Sequence, residues 1–308
     1  MWLPMVTEVE GTPVGRINEW VGRGQYYFDG PVGPSTVSFV LGPGTNLIDI
    51  FAAETSRFCC AAIETSVGIA RPDMPKSTAW LAIQTYYSAF YAAHCLLRTA
   101  GISASNLYNN ECQQADIVAT APGFNNAPLE ATQYRCEYLY YQNRLECSKA
   151  PGRGIHEQLW RIFGTYLIDA KSRVLNNNSL TNLDAQTIFA KLDELLQILK
   201  SNGNNGSNWL STIRNEVTYR QQHETWFPYG RTKADCNKLF ALQGEWLKPP
   251  NSIQLKPTKA DDLEVFIRTC AFLVSLAVEV TTDMAARNPF NRSFLINGPN
   301  RLLRQFRP

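Results

Sequence analysis

Ser77–Gly101 reads STAWLAIQTYYSAFYAAHCLLRTAG, and this stretch decides the fold. Leu81, Tyr86, Ala89, Phe90, Ala93, Leu96 and Leu97 recur at the spacing of a helix with an apolar face. Ser88 and the alanines between them keep the surface low, so another helix can come close. Gly101 supplies the stop. His94 lies inside this apolar run and is expected to be a core histidine bonded to a neighbour.

Upstream, LIDIFAAETSRFCCAAIETSVGIA predicts a helix from Leu47 to about Ala70, capped by Thr45 or Asn46 and closed by Pro72 and Pro75. Residues 1–46 differ in kind. They are rich in glycine and proline, and two β-prone runs flank DGPVGP, so an irregular arm or small β-hairpin is expected. GPGTN precedes a helix start, but no Lys-Ser or Lys-Thr follows it, so it is not a phosphate-binding P-loop.

Downstream, residues 102–154 read as a loop-rich insertion with one short helix. Within it, Tyr134, Tyr138 and Tyr141 stand at i, i+4 and i+7 beside Arg135 and Arg144. Aromatics interleaved with arginines can stack on bases, so these five form a candidate RNA-binding set. The alternatives are a packing face, or a strand, since YLYY is β-prone. Helical periodicity returns at Ile155. Ile188, Leu192, Leu195, Leu196 and Leu199 then line one face of the clearest amphipathic helix. SNGNNGSN is a polar loop, and Asn208 can cap the helix that follows it. Asp261 to about Arg287 forms the last long helix. Residues 288–308 carry Arg292, Arg301, Arg304 and Arg307 with no acid, which describes a solvated tail or a phosphate-binding one. The domain reading is an arm over 1–46, a helical domain over 47–287 interrupted at about 102–154, and the tail.

With 308 residues, 44% hydrophobic and 18% charged, the chain has ample material for a globular core. A net charge of +2 does not by itself demand a nucleic-acid partner. The eight cysteines form no C-x-x-C pair and several lie in apolar helical runs, so free buried thiols and a reducing cytoplasm are expected. No secretory signal opens the chain, and Val265–Val280 is interrupted by Arg268 and Glu279, so no membrane span is expected. Metal-protease, nucleophile-elbow and dinucleotide fingerprints are missing, and no cofactor or metal is expected.

Two stretches carry a family resemblance. YYSAFYAAHCLLRTAG resembles the second helix of HEPN proteins, with its tyrosine pair, small residues and leucine run before a glycine. The helix containing IRNEV, in Asn208–Pro228, resembles the family's polar helix with its Arg-Asn start. The likeness spans roughly residues 47–100 and 155–225. It implies a mainly α, antiparallel HEPN-like helical bundle that commonly dimerises or meets a cognate partner. It also implies RNA as ligand, and a metal-independent ribonuclease in a prokaryotic stress or antiviral system. A non-catalytic interaction subunit is the alternative. In active members an arginine and a histidine separated by four to six intervening residues meet their copies across the dimer.

The chemistry suits those residue types. Histidine titrates near neutrality and moves protons, while arginine offers a permanent charge and a fork of donors to phosphate oxygens. Here, however, none of His94, His156 and His223 follows an arginine by that interval. Arg214-Asn215 is followed by His223 nine positions on, while Arg220 lies one turn before it. The candidate catalytic set is therefore Arg214, Asn215, Arg220 and His223. Either Arg220 and His223 form a substitute pair on the helix, or the helix ends near Gln222 and His223 bends back in the loop. Otherwise Arg214 and Asn215 close a helix-helix contact.

Overall fold

The structure is a computed structural model and describes residues 2–69, 77–227 and 236–306. It is mainly helical with one small antiparallel sheet. The N-terminal segment forms α1 (Ile17–Arg23), β1 (Tyr26–Tyr27) and β2 (Thr36–Leu41). Two long helices follow, α2 (Ile48–Ile69) and α3 (Thr78–Thr99). Next come β3 (Ile102–Leu107), α4 (Asn109–Thr120), β4 (Thr132–Leu139) and β5 (Arg144–Lys149). The rest is helical: α5 (Gly154–Leu175), α6 (Asn182–Leu199), α7 (Trp209–Tyr219), α8 (Cys236–Gln243), α9 (Asp262–Ala286) and α10 (Pro299–Phe306).

The long helices form where periodicity and caps place them. Asn46 Oδ1 accepts from the Ile48 N–H at 2.8 Å, and Ser77 Oγ accepts from the Trp80 N–H at 3.4 Å. At α9, the Asp261 carboxylate accepts from the Glu264 N–H at 2.8 Å. Asn208 precedes α7 without a side-chain cap; its carbonyl accepts from the Ser211 and Thr212 hydroxyls instead. Pro72, Pro75 and the WFPYG residues 228–230 lie outside the described residues.

α3 is the central helix and packs against α2, α5, α7, α8 and α9. Tyr86, Ala89, Ala92, Ala93, Cys95 and Leu97 are wholly enclosed. The main helical core continues through Trp160, Phe163, Trp209 and Phe266. His94 is buried as expected. Its Nδ1 meets Arg98 at 2.9 Å, and Phe58 stacks on its ring at 4.6 Å. Arg98 in turn pairs with buried Glu54 of α2. The other Glu54 oxygen lies 3.3 Å from the Ile17 backbone N–H and accepts its hydrogen, so this buried cluster also anchors α1.

The sheet contains the expected N-terminal hairpin, β1 pairing with β2, and corrects the reading of residues 102–154. All neighbouring strands are antiparallel in the order β1-β2-β5-β4-β3. The N-terminal strands and the segment 102–154 thus belong to one layer. That segment is not loop-rich: it holds three of the five strands and α4. The register sets Val37 opposite Cys147 and Cys136 opposite Cys147, so β5 is sandwiched between β2 and β4. A second core forms where α1 and α4 meet one face of the sheet through Trp20, Val21, Cys112 and Ala115, with Phe39, Tyr134 and Leu145 opposite.

The C-terminal segment is folded rather than a free solvated tail. The Phe294 N–H donates to the Val9 carbonyl at 3.1 Å, and the Asn288 amide donates to the Thr7 carbonyl at 2.9 Å. Leu295 and Leu303 are buried, the latter on α10, whose arginines 301 and 304 stay outside. Arg307 lies outside the described residues. All eight cysteines are free. No described helix is long and apolar enough to cross a membrane.

Candidate functional site

The four residues read as a catalytic set do not converge. α7 ends at Tyr219, and the chain then turns back. Gln221, His223 and Glu224 all adopt left-handed backbone angles, with φ of 54°, 64° and 49°. Such angles are costly for residues other than glycine, so this turn is held in place by its surroundings. Its brace is Glu216. The Gln222 N–H donates to the Glu216 carbonyl at 3.0 Å, and His223 Nε2 sits 2.9 Å from the Glu216 carboxylate. Arg220 Nη1 lies 4.0 Å from the other carboxylate oxygen. His223 therefore bends back to α7 and bonds an acid.

Arg214 meets a different histidine. Its Nη2 donates to Tyr87 Oη at 2.8 Å and lies 3.5 Å from Nε2 of His156, while Nη1 donates to Asn215 Oδ1 at 2.8 Å. Arg214 as a whole residue is 9% exposed, and its guanidinium faces the rings of Tyr86, Tyr87 and Tyr219 at 5.4–5.8 Å. Contacts of this kind between a cation and ring faces are attractive. Three helices thus supply the site: α3 gives Tyr86 and Tyr87, α5 gives His156, and α7 gives Arg214, Asn215 and Tyr219.

His156 is positioned by the turn before α5. Gly152 and Gly154 both have positive φ, 106° and 74°. The φ at 152 is one that other residues rarely adopt, so glycine is favoured there, and a Cβ would also displace the Arg161 side chain, 2.9 Å away. The turn delivers His156 in the first turn of α5, one turn before Trp160. Trp160 Nε1 donates to Tyr86 Oη at 3.0 Å, and the same oxygen lies 3.0 Å from His156 Nδ1. Arginine and indole only donate. The contact from Arg214 therefore suits the tautomer with its proton on Nδ1. In that tautomer the Tyr86 oxygen accepts from both Trp160 and His156, and the Nε2 lone pair faces the guanidinium.

Electrostatics keep the pair in defined states. Burial, then the Arg214 charge, lowers the His156 value from 6.5 to about 4, so it is a neutral base at pH 7. Burial acts to lower the Arg214 value, but the Tyr87 hydrogen bond and the nearby phenols hold it above its ordinary level. Burial pushes the Tyr86 phenol far up, so it stays protonated.

His156 and Asn215 open onto a cleft of about 420 Å³ between the start of α5 and the outer face of α7. Asn208, Ser211 and Thr212 line it with amides and hydroxyls, and Arg153 and Arg220 stand at its rim. Glu157 also lines it but is paired to Arg161 at 2.7 Å. Arginines, a helix N-terminus and neutral donors together make an anion-favouring surface. Among the described residues no group of three His, Cys, Asp or Glu side chains could hold a metal ion.

The tyrosine-rich set is corrected. Residues 132–139 are a strand, and its two-residue period sends Tyr134 and Tyr138 to the inner face and Arg135 to the other. Tyr134 is enclosed, donating to the Glu130 carbonyl at 2.8 Å, and Tyr138 stacks on Phe51. Arg135 pairs with Glu137 at 2.7 Å, and Arg144 pairs with Asp29. Tyr141 is exposed beyond the strand end. These five do not form one base-stacking surface.

His156 and Tyr87 are the site residues that sequence reading missed. The local signals were weak: a glycine turn before His156, a tryptophan four residues after it, and the second tyrosine of a pair. Comparison of the chain with protein-family models, with curated proteins and with solved structures returned no match.

Proposed function

We propose that the chain is a HEPN-like protein that binds RNA in the α5–α7 cleft and cleaves it without metal, in a prokaryotic stress or antiviral setting. The observation that carries this reading is the juxtaposition of Arg214 and His156, 3.5 Å apart, behind an arginine-rimmed polar cleft. The likeness of the Tyr86-Tyr87 helix and the Arg214-Asn215 helix to HEPN stretches supports it.

The reaction needs three things. A ribose 2′-hydroxyl must lose its proton, its oxygen must attack the adjacent phosphorus, and the departing 5′-oxygen must gain a proton. Neutral His156 takes the 2′ proton at Nε2 once substrate displaces its long, 3.5 Å contact with Arg214. The new 2′-O–P bond forms as the P–O5′ bond breaks, leaving a 2′,3′-cyclic phosphate and a 5′-hydroxyl. Charge on the pentacovalent phosphorus is met by Arg214 and by Arg220 from the rim. Asn215 holds the guanidinium from one side and Tyr87 from the other. Once protonated, His156 or water supplies the leaving oxygen.

A second reading has its own support. His156 is a weak base at about 4, and Arg214 is nearly enclosed, which suits a non-catalytic RNA-binding or interaction subunit. One experiment separates the two. Mixed RNAs are incubated in EDTA with wild type, His156→Ala, His223→Ala and Arg214→Lys proteins. Cyclic-phosphate products from wild type and His223→Ala but not from His156→Ala support cleavage at this site. Binding without products supports the second reading. Cleavage by His156→Ala at the wild-type rate removes the assignment.

A further inference from the structure

Every residue of α3 is buried except Trp80, Gln84, Tyr87 and Tyr91. These stand at i, i+4, i+7 and i+11, so the one open stripe of the central helix is three rings and an amide. It carries no aliphatic residue and no acid. Trp80 is 56% exposed and rests edge-on against Trp226 at 6.0 Å, while Trp226 is tied to α7 by a hydrogen bond to the Val217 carbonyl. At the other end of the stripe, Tyr87 and Tyr91 have ring centroids 6.5 Å apart, and Tyr87 bonds Arg214. Beside them Tyr219 is 71% exposed, with its ring 5.4 Å from the same guanidinium. Trp80 and Tyr219 are exposed and Tyr87 and Tyr91 half-buried, and rings gathered on one surface mark interaction sites.

We propose that this stripe is a base-stacking track for single-stranded RNA, with Trp80 and Tyr219 as its outer platforms. The proposal rests on the RNA-binding role assigned to the cleft above. Bases present π-faces to rings, and their edges can meet the Gln84 amide. The intervening backbone phosphates meet the exposed Arg153 and Arg220 charges. Trp80 and Tyr87 are two helical turns apart, about 10 Å, which leaves room for more than one nucleotide between them. Arg214 stands against both Tyr87 and Tyr219, so positive charge and ring faces are presented together, which matches a polyanion with flat, apolar bases. The tyrosine-rich strand cannot serve this purpose, since its rings are inside the protein.

The test is fluorescence anisotropy with labelled oligouridylate and oligoadenylate of about 12 nucleotides, and duplex RNA of equal length, in EDTA. Wild type is compared with Trp80→Ala, Trp80→Phe, Tyr219→Ala and an Arg153→Ala/Arg220→Ala double variant. Both aromatic side chains are exposed, and melting curves check that the variants fold. The expected result is that single strands bind better than duplex, and that Trp80→Ala and Tyr219→Ala each weaken binding about tenfold. Trp80→Phe restores most of the loss. The double variant lowers the slope of log K against log salt by about 1.4, whereas Trp80→Ala leaves the slope unchanged.

Unchanged affinity in Trp80→Ala and Tyr219→Ala, while wild type binds RNA, overturns the track and leaves the cleft. Duplex binding as tight as single-strand binding does the same. Wild type that binds no RNA overturns both. If Trp80→Ala instead splits a dimer in sedimentation equilibrium without changing RNA affinity, the stripe joins two copies and the proposal is wrong.

Discussion

Tyr87 and Arg214 are 127 residues apart in sequence and 2.8 Å apart in space, the phenol oxygen accepting from the guanidinium. This bond ties α7 to the central helix and holds a nearly buried charge. Tyr87→Phe keeps the ring face but removes the acceptor. Hydrogen bonds to charged groups contribute about 1.5–3 kcal/mol, so urea unfolding should show a loss of about 2 kcal/mol. A loss below about 0.5 kcal/mol would mean that water replaces the phenol, and that the bond does not position Arg214.

Stability should fall with acid in a defined window. His156 has its value lowered to about 4 against an ordinary 6.5. Between those values the unfolded chain binds the proton and the folded chain does not. Stability therefore rises with pH across that window, is complete above about 6.5 and has been lost below about 4. His94, held well below its ordinary value by burial and then by Arg98, acts in the same direction. For His156, which is partly open to solvent, the contribution is about 1–2 kcal/mol after allowance for screening. Urea midpoints at pH 7 and pH 4.5 measure it. His156→Gln should flatten the dependence; an equal slope in that variant would assign the effect elsewhere.

The Glu54–Arg98 pair, both partners almost fully enclosed, should respond asymmetrically. Arg98→Met leaves a buried carboxylate and should cost about 3–5 kcal/mol, whereas Glu54→Leu/Arg98→Met should recover part of it because no charge remains to be desolvated. Thermal melts of both variants decide this. A double variant less stable than Arg98→Met would show that the pair, together with the Glu54–Ile17 hydrogen bond lost with it, is favourable.

Gly164 lies within α5, where alanine would ordinarily help by about 1 kcal/mol. Here an added Cβ would stand 2.3 Å from Ser207 Oγ and 2.5 Å from its Cβ. Ser207 is itself at φ 63°, so its backbone cannot easily yield. Gly164→Ala should destabilise by about 1–3 kcal/mol. Adding Ser207→Gly, which removes the obstacle and suits the positive φ, should restore most of it.

The long helices were legible because each repeats an apolar spacing over several turns and carries its own punctuation. Ser77 before α3 and Asp261 before α9 are examples. The sheet was not, because its pairings are distant. Nothing near Val37 announces Cys147, and Tyr134 and Tyr138, four apart, fit one face of either a helix or a strand. α1 was missed because seven residues are too few to show a period. The site was half legible. Arg214-Asn215 could be picked out by residue type, but the histidine beside it comes from 58 residues upstream. His223 was the nearest histidine in sequence, and a strained turn sends it to Glu216 instead.

The placement of β5 between β2 and β4 has a consequence for how the chain is made. β2 leaves the ribosome well before β5 and has only β1 as a local partner. Its other edge stays bare until residues 144–148 have been synthesised, with both α2 and α3 emerging in between. An unpaired strand edge is a template for pairing with other chains. Because sheet closure must wait for such distant residues, it is expected to be slow relative to the helices, which form from nearby ones. The nascent protein therefore passes through an interval in which its most adhesive edge is exposed while its helical hairpin is already present. Recovery of soluble protein should depend on translation speed across residues 102–144 more than on any stretch that follows.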